Sequence, residues 1–106
     1  MAERLDASIL TTFKPIDEKA VTAQLDEALK GFDRKIVVLD DDPTGVQTVH
    51  DISVYTDWSV DSMRKGFDEE NSMFFILTNS RGLTAPETTK AHREMAENIL
   101  QVAKET

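Results

Sequence analysis

The chain has 106 residues, of which 20 are acidic and 12 are basic, giving a formal net charge of −8. This acidic balance argues against binding to nucleic acid, which needs a basic face. The chain contains no cysteine, which excludes disulfides, thiolate metal sites and cysteine catalysis. We find no apolar run of the ~20 residues that span a bilayer and no signal peptide. We therefore expect a cytoplasmic protein that does not contact the membrane.

The beginning of the chain differs from the rest in its pattern. Residues 1–16 show little periodicity, and Pro15 would interrupt a continuous helix there. We expect an amino-terminal arm over residues 1–16. Residues 17–106 have the alternating pattern of an α/β domain.

That domain begins with a predicted helix and a predicted strand. Val21, Leu25 and Leu29 recur every fourth residue, which predicts a helix over residues 17–30. A continuously apolar run then predicts a strand over residues 35–40 that is buried on both faces, as in a parallel sheet.

A polar turn and a second strand follow. Asp42 followed by Pro43 is typical of a helix N-cap with proline at the first position, which predicts a short helical turn over residues 44–49. Residues 51–57 alternate between apolar and polar side chains, which predicts a strand with one better-buried face.

The last three elements have the clearest signals. Ser59 is predicted to cap a short helix, and residues 73–77 form a second continuously apolar strand. Thr84 and Glu87 fit a capping box, so we expect a final helix that runs to about Lys104. The residues of that helix expected to face inward are Ala91, Met95, Ile99, Val102 and Ala103.

Strands that alternate with helices indicate the α/β class, with a mostly parallel sheet and helices on its faces. The predicted elements make an incomplete three-layer version of this architecture, because the final helix is not followed by a fourth strand. We therefore expect a fragment of a larger domain. Exposed strand edges invite association, so a homo-oligomer is a further expectation.

Three consecutive acids, Asp40, Asp41 and Asp42, follow the first predicted strand. Ligands of open α/β sheets bind at the carboxyl ends of the strands, so these acids are the first candidates for function. They could bind a divalent metal ion, recognise hydroxyl groups or act as a general base. The plain alternative is a solvated acidic turn in which Asp42 only caps.

A second polar loop, Thr78-Asn79-Ser80-Arg81-Gly82, follows the second apolar strand. The planar fork of Arg81 suits a carboxylate or a phosphate. The alternative is a surface arginine that pairs with a nearby acid. No Gly-rich phosphate-binding loop occurs in the chain.

These two loops together resemble the four-carbon acid sugar kinases. Residues 41–45 match an Asp-Asp-x-Thr-Gly motif, and residues 78–81 match a Thr/Ser-rich turn that ends in Arg. The resemblance covers about residues 35–106, and it implies that this chain is the front part of an amino-terminal sugar-binding domain.

The resemblance implies phosphorylation of a hydroxyl of a small sugar acid such as threonate, erythronate or an oxo-tetronate. Asp41 and Asp42 would bind substrate hydroxyls, Arg81 would bind the substrate carboxylate, and Asp42 would be the base for the attacking hydroxyl. The other expected substrate-binding residues are Thr44, Gly45, Asn79 and Ser80. ATP and Mg²⁺ would be bound mainly outside this chain, which has no expected metal ligand and would be inactive alone.

Two alternatives remain open at this point. Asp40-x-Asp42-x-Thr44 after an apolar strand also resembles the first motif of haloacid-dehalogenase-like phosphatases, with Asp40 as nucleophile and Asp42 as acid/base. The second alternative is a non-catalytic module of flavodoxin-like shape that binds a sugar acid.

Overall fold

The structure is a computed structural model that describes residues 3–106. The chain divides into two compact units, with the boundary between Phe32 and Asp33. In the first unit, a single 3-10 turn over Ala7–Thr11 precedes helix α1, Glu18–Leu29. The helix predicted over residues 17–30 is thus confirmed.

Helix α1 begins where the sequence indicates. The side chain of Asp17 accepts a hydrogen bond from the N–H of Ala20 at 3.1 Å, which satisfies one of the free donors of the first turn. The predicted apolar stripe of this helix consists of three side chains that are each about half exposed, namely Val21, Leu25 and Leu29.

Within residues 33–106, three strands and two α-helices form the second unit. They are β1 (Ile36–Asp40), β2 (Val54–Tyr55), α2 (Val60–Asp68), β3 (Met73–Leu77) and α3 (Ala85–Ala103). Two 3-10 turns, Gly45–Thr48 and Ser80–Gly82, follow β1 and β3.

The three strands form one parallel sheet in the order β1-β3-β2. In register, Asp40 of β1 lies opposite Leu77 of β3. The α/β class and the parallel sheet flanked by helices are confirmed. The long second strand is wrong, because β2 pairs only at Val54–Tyr55. Asp51, the first residue of the predicted range, has a left-handed backbone with φ of 56°, so the extended conformation can begin only after it.

The expectation that β1 is buried on both faces is also wrong. β3 is the central strand, whereas β1 lies at an edge, where Ile36 is 41% exposed and Leu39 is 42% exposed. Residues 36–39 of β1 and 73–77 of β3 are both continuously apolar, so their burial depends on the position of the strand in the sheet rather than on composition.

The core lies between the sheet and helices α2 and α3. Its fully buried side chains are Phe74, Ile76, Met63, Met95 and Val102. The ring of Phe74 contacts those of Tyr55 and Phe67 edge to face, with centroids 5.5 and 5.8 Å apart. Of the predicted inward residues of α3, Met95 and Val102 are fully buried, but Ala103 is exposed because it lies off this face.

The predicted caps of the two α-helices in this unit are present. The Ser59 side chain accepts from the N–H of Ser62, and Thr84 and Glu87 form the capping box of α3 in both directions. None of the helices in residues 3–106 is long and apolar enough to cross a membrane.

Candidate functional site

The loops that follow β1 and β3 leave the sheet side by side. We name residues 40–45 the acid loop and residues 78–82 the arginine loop. The backbone N–H of Thr78 donates to the carbonyl of Asp40 at 2.8 Å, which continues the pairing of β1 with β3 beyond the last register pair. The two motifs are therefore neighbours at the carboxyl end of the sheet.

Asp42 folds the acid loop back on itself. Its Oδ1 accepts hydrogen bonds from the backbone N–H of Thr44 at 2.8 Å and from the Thr44 hydroxyl. This is an Asx-turn, in which an aspartate side chain replaces a backbone acceptor. The predicted helical turn is present, but it begins only at Gly45 and Asp42 is not its N-cap.

Asp40 supports this loop from the end of β1. Its Oδ1 accepts the backbone N–H of Asp42 at 3.2 Å. A Cβ on Gly45 would lie 2.6 Å from the same oxygen and 2.7 Å from Cγ of Asp40. The glycine predicted to allow close approach of a ligand therefore allows close approach of this carboxylate.

Arg81 connects the two loops through its side chain. Its Nη1 donates to Oδ2 of Asp42 at 2.9 Å, and its Nη2 lies 3.5 Å from Oδ1 of Asp41. The predicted pairing of Arg81 with a nearby acid is thus present. A guanidinium carries further N–H donors, and the Arg81 side chain is 67% exposed, so donors remain available to a ligand.

Hydrogen bonds hold Asp42 in its ionised form. The pKa of its carboxyl lies below the ordinary value of 3.8, first because of the Thr44 hydroxyl, then because of the Thr44 backbone N–H, with a smaller effect of the charge on Arg81. The acid loop contributes three carboxyl groups and the arginine loop one guanidinium, so hydrogen-bond acceptors dominate this edge of the sheet.

The remaining predicted residues of the arginine loop differ in exposure. Asn79 is exposed and has a left-handed backbone with φ of 51°. Ser80 is only 8% exposed, and its hydroxyl lies 2.8 Å from that of Thr78, which is 5% exposed. The sequence places Thr78 in the motif of residues 78–81 but gives it no role of its own. The available signal was its position, since it is the first residue after a buried strand.

Among residues 3–106, no three His, Cys, Asp or Glu side chains are grouped so that they could hold a metal ion. The chain also has no Gly-rich loop of the kind that holds nucleotide phosphates.

A comparison with known protein families identifies the class to which this domain belongs. The family model described as the sugar-binding N-terminal domain matches residues 36–106, which is more than half of the chain. The chain belongs to this family, which forms the N-terminal domain of four-carbon acid sugar kinases. No curated protein matches the chain, and no solved structure matches it.

Proposed function

We propose that this chain is the substrate-binding part of an ATP-dependent kinase that phosphorylates a hydroxyl of a four-carbon sugar acid. The observation that carries the proposal is the ion pair between Arg81 and Asp42, which joins the two strand ends at 2.9 Å. The guanidinium of Arg81, which suits a carboxylate, thus lies beside carboxylate oxygens that can accept hydrogen bonds from hydroxyls. A sugar acid carries both a carboxylate and hydroxyls, which supports the proposal.

Each charged group would then recognise one part of the substrate. The carboxylates of Asp41 and Asp42 accept hydrogen bonds from sugar hydroxyls, as charged acceptors do more strongly than neutral ones. Arg81 donates its remaining N–H groups to the substrate carboxylate. Its contact with Asp42 holds the guanidinium in place, which lowers the entropy lost when the substrate binds.

The environment of Asp42 supports an acceptor role more than a basic one. Because its pKa is lowered by Thr44, its carboxylate has little tendency to take a proton near neutral pH. Phosphoryl transfer needs little help from a strong base, since it depends mainly on positioning and charge stabilisation. We therefore propose that Asp42 orients the attacking hydroxyl.

The nucleotide belongs to a different part of the enzyme in this proposal. ATP and Mg²⁺ would be bound mainly outside this chain, which has no Gly-rich phosphate-binding loop. The substrate is a small sugar acid, and the chain alone would bind it without transferring phosphate.

Calorimetry on the chain tests this function. Titration with threonate and erythronate should show binding, whereas erythritol, which lacks the carboxylate, and succinate, which lacks the hydroxyls, should bind much more weakly. Asp42→Asn and Arg81→Ala should each abolish threonate binding, and Arg93→Ala on the exposed surface of α3 is the matched control. If neither sugar acid binds, or if erythritol binds equally well, the proposed substrate class is wrong.

A second assay separates the kinase from a binding module. A protein that also carries the nucleotide-binding domain should consume ATP when a tetronate is added, and the same two substitutions should abolish this turnover. Tetronate binding without any ATP consumption in that protein would favour the module. No observation on residues 3–106 favours the phosphatase alternative, in which Asp40 would be the nucleophile.

A further inference from the structure

Two buried hydroxyl groups of the arginine loop have no role in the proposed recognition of the sugar. Thr78 and Ser80 are 5% and 8% exposed, and buried polar groups are costly unless they are hydrogen-bonded. We infer that Thr78 and Ser80 are positioning residues, which hold Arg81 opposite the acid loop. This inference rests on the proposed function for the role of Arg81 itself.

The hydrogen bonds around Thr78 form one connected set. The carbonyl of Asp40 accepts from the Thr78 N–H at 2.8 Å and from the Thr78 hydroxyl at 3.2 Å. The hydroxyl groups of Thr78 and Ser80 lie 2.8 Å apart, and either of them could be the donor. The N–H of Ser80 also points to Thr78 Oγ1, at 3.3 Å.

Thr78 Oγ1 is therefore the common atom of this set. It lies within hydrogen-bond distance of the carbonyl of Asp40, the hydroxyl of Ser80 and the N–H of Ser80. The left-handed backbone of Asn79 turns the chain so that Ser80 meets Thr78 again. Both hydroxyl groups therefore have hydrogen-bond partners within the chain.

The consequence for Arg81 follows from its place in the chain. Arg81 is the next residue after Ser80, and its N–H donates to the carbonyl of Asp41 at 3.4 Å. The backbone on which the guanidinium is mounted is thus attached to the acid loop on both sides of Asn79. Because the Arg81 side chain is long and largely exposed, its approach to Asp42 depends on this attachment.

The test uses variants that remove or keep the common hydroxyl. Thr78→Val removes it with little change of shape, Thr78→Ser keeps it, and Ser80→Ala removes only one donor. Thr89→Val, at an exposed position of α3, is the matched control. The readouts are thermal unfolding, threonate affinity by calorimetry, and the guanidinium signals of Arg81 in ¹⁵N-arginine-labelled chain, assigned with Arg81→Lys.

We expect Thr78→Val to fold, to lose the slowly rotating guanidinium signals of Arg81, and to bind threonate about tenfold more weakly, because a displaced Arg81 makes a weaker hydrogen bond to the substrate carboxylate. Thr78→Ser should restore both properties. If Thr78→Val does not fold, Ser80→Ala should show the same changes to a smaller extent. Unchanged Arg81 signals and unchanged affinity in folded variants would overturn the inference, even if the unfolding temperature falls.

The outcomes also separate this inference from the proposed function. If wild-type chain binds no tetronate, the proposed function is wrong. The guanidinium signals still decide the positioning role in that case, because they are measured without ligand. Loss of those signals in Thr78→Val supports the role, and their retention overturns it.

Discussion

The carboxylate of Asp40 lies in the space that a side chain on residue 45 would occupy. An ideal Cβ on Gly45 would approach Oδ1 of Asp40 to 2.6 Å, well inside van der Waals contact. The same oxygen accepts the N–H of Asp42. The glycine of the Asp-Asp-x-Thr-Gly motif therefore serves the internal structure of the acid loop, because it lets Asp40 hold the backbone of Asp42.

This relationship predicts the effect of Gly45→Ala. The added methyl would displace the Asp40 carboxylate, which can rotate away at small cost to the fold but would lose its bond to Asp42. We expect a nearly unchanged free energy of unfolding and threonate affinity reduced about tenfold, because Asp40 would no longer hold the backbone of Asp42 in place. Calorimetry and urea denaturation measure the two quantities.

Gly82→Ala is the control for this substitution. Gly82 is in the arginine loop, and a Cβ there would meet open space. It should leave both binding and stability unchanged. Equal threonate affinity in Gly45→Ala and wild type would contradict the role given to the Asp40–Gly45 contact.

A second glycine contact concerns the core. A Cβ on Gly66 of α2 would lie 2.7 Å from ring atoms of Phe74, which is fully buried and cannot move aside. Alanine in a helix gains about 0.5–1 kcal/mol over glycine, but overpacking a core costs about 1–3 kcal/mol. We expect Gly66→Ala to lower the free energy of unfolding by about 1 kcal/mol, measured by urea denaturation.

A second substitution identifies the cause. In a Phe74→Leu background the smaller side chain should remove most of the penalty of Gly66→Ala, so the two substitutions should not be additive. A stabilising effect of Gly66→Ala in the wild-type background would show that helix propensity outweighs the contact with Phe74.

Local signals explain why parts of this structure could be predicted from the sequence. Helix α3 begins within one residue of its expected start because a capping box acts through its own side chains, Thr84 and Glu87. The glycine at position 66 in α2 could not be explained from the sequence, because it is required by the ring of Phe74, which lies on β3. The order of the strands was equally hidden, because β1 and β3 are both continuously apolar.

The candidate site likewise has features that could be predicted from the sequence and features that could not. The location of the acid loop and the arginine loop at the same end of the sheet could be predicted, because the carboxyl ends of parallel strands lie together. Their direct adjacency could not, because it depends on the order of the strands. The burial of Ser80 could not be, since serine in a polar loop has the same pattern whether it faces solvent or a neighbouring hydroxyl. The sequence offers Asp40 as one of three candidate acids and as the nucleophile of the phosphatase alternative. Its contact with Gly45 could not be predicted, because that contact depends on the path of the loop.

Acid should destabilise the second unit through carboxylates with lowered pKa values. Arg64 of α2 donates from Nε and Nη2 to the two carboxylate oxygens of Glu105, both at 2.9 Å, and these bonds lower the pKa of Glu105 below its ordinary 4.5. A group with a lowered pKa in the folded state stabilises it above the unfolded value, and this contribution is lost as pH falls through the folded value. We expect the free energy of unfolding to decrease as pH is lowered below about 4.5.

Urea denaturation between pH 3 and pH 7 measures this dependence. Glu105→Gln should make it shallower, because the variant cannot gain the proton that breaks the pair with Arg64. Glu97→Gln is the control, since Glu97 is exposed on α3 and makes no ion pair among residues 3–106. The role of Glu105 would be refuted by identical pH profiles for Glu105→Gln and wild type.

The last prediction concerns the geometry of Arg81 rather than its charge. Arg81 pairs with Asp42 at 2.9 Å and, in our proposal, binds the substrate carboxylate with its other N–H groups. Lysine keeps the positive charge but has no planar fork, so it cannot make both contacts in a fixed arrangement. We expect Arg81→Lys to weaken threonate binding by about tenfold or more, since a hydrogen bond to a charged group contributes about 1.5–3 kcal/mol.

The weak binding of erythritol should change little, because erythritol has no carboxylate. Arg93→Lys, an equal exchange on the exposed surface of α3, should affect neither ligand. Calorimetry with both ligands distinguishes the explanations: a parallel loss for threonate and erythritol would mean that Arg81 only shapes the acid loop, and full threonate affinity in Arg81→Lys would mean that charge alone is sufficient.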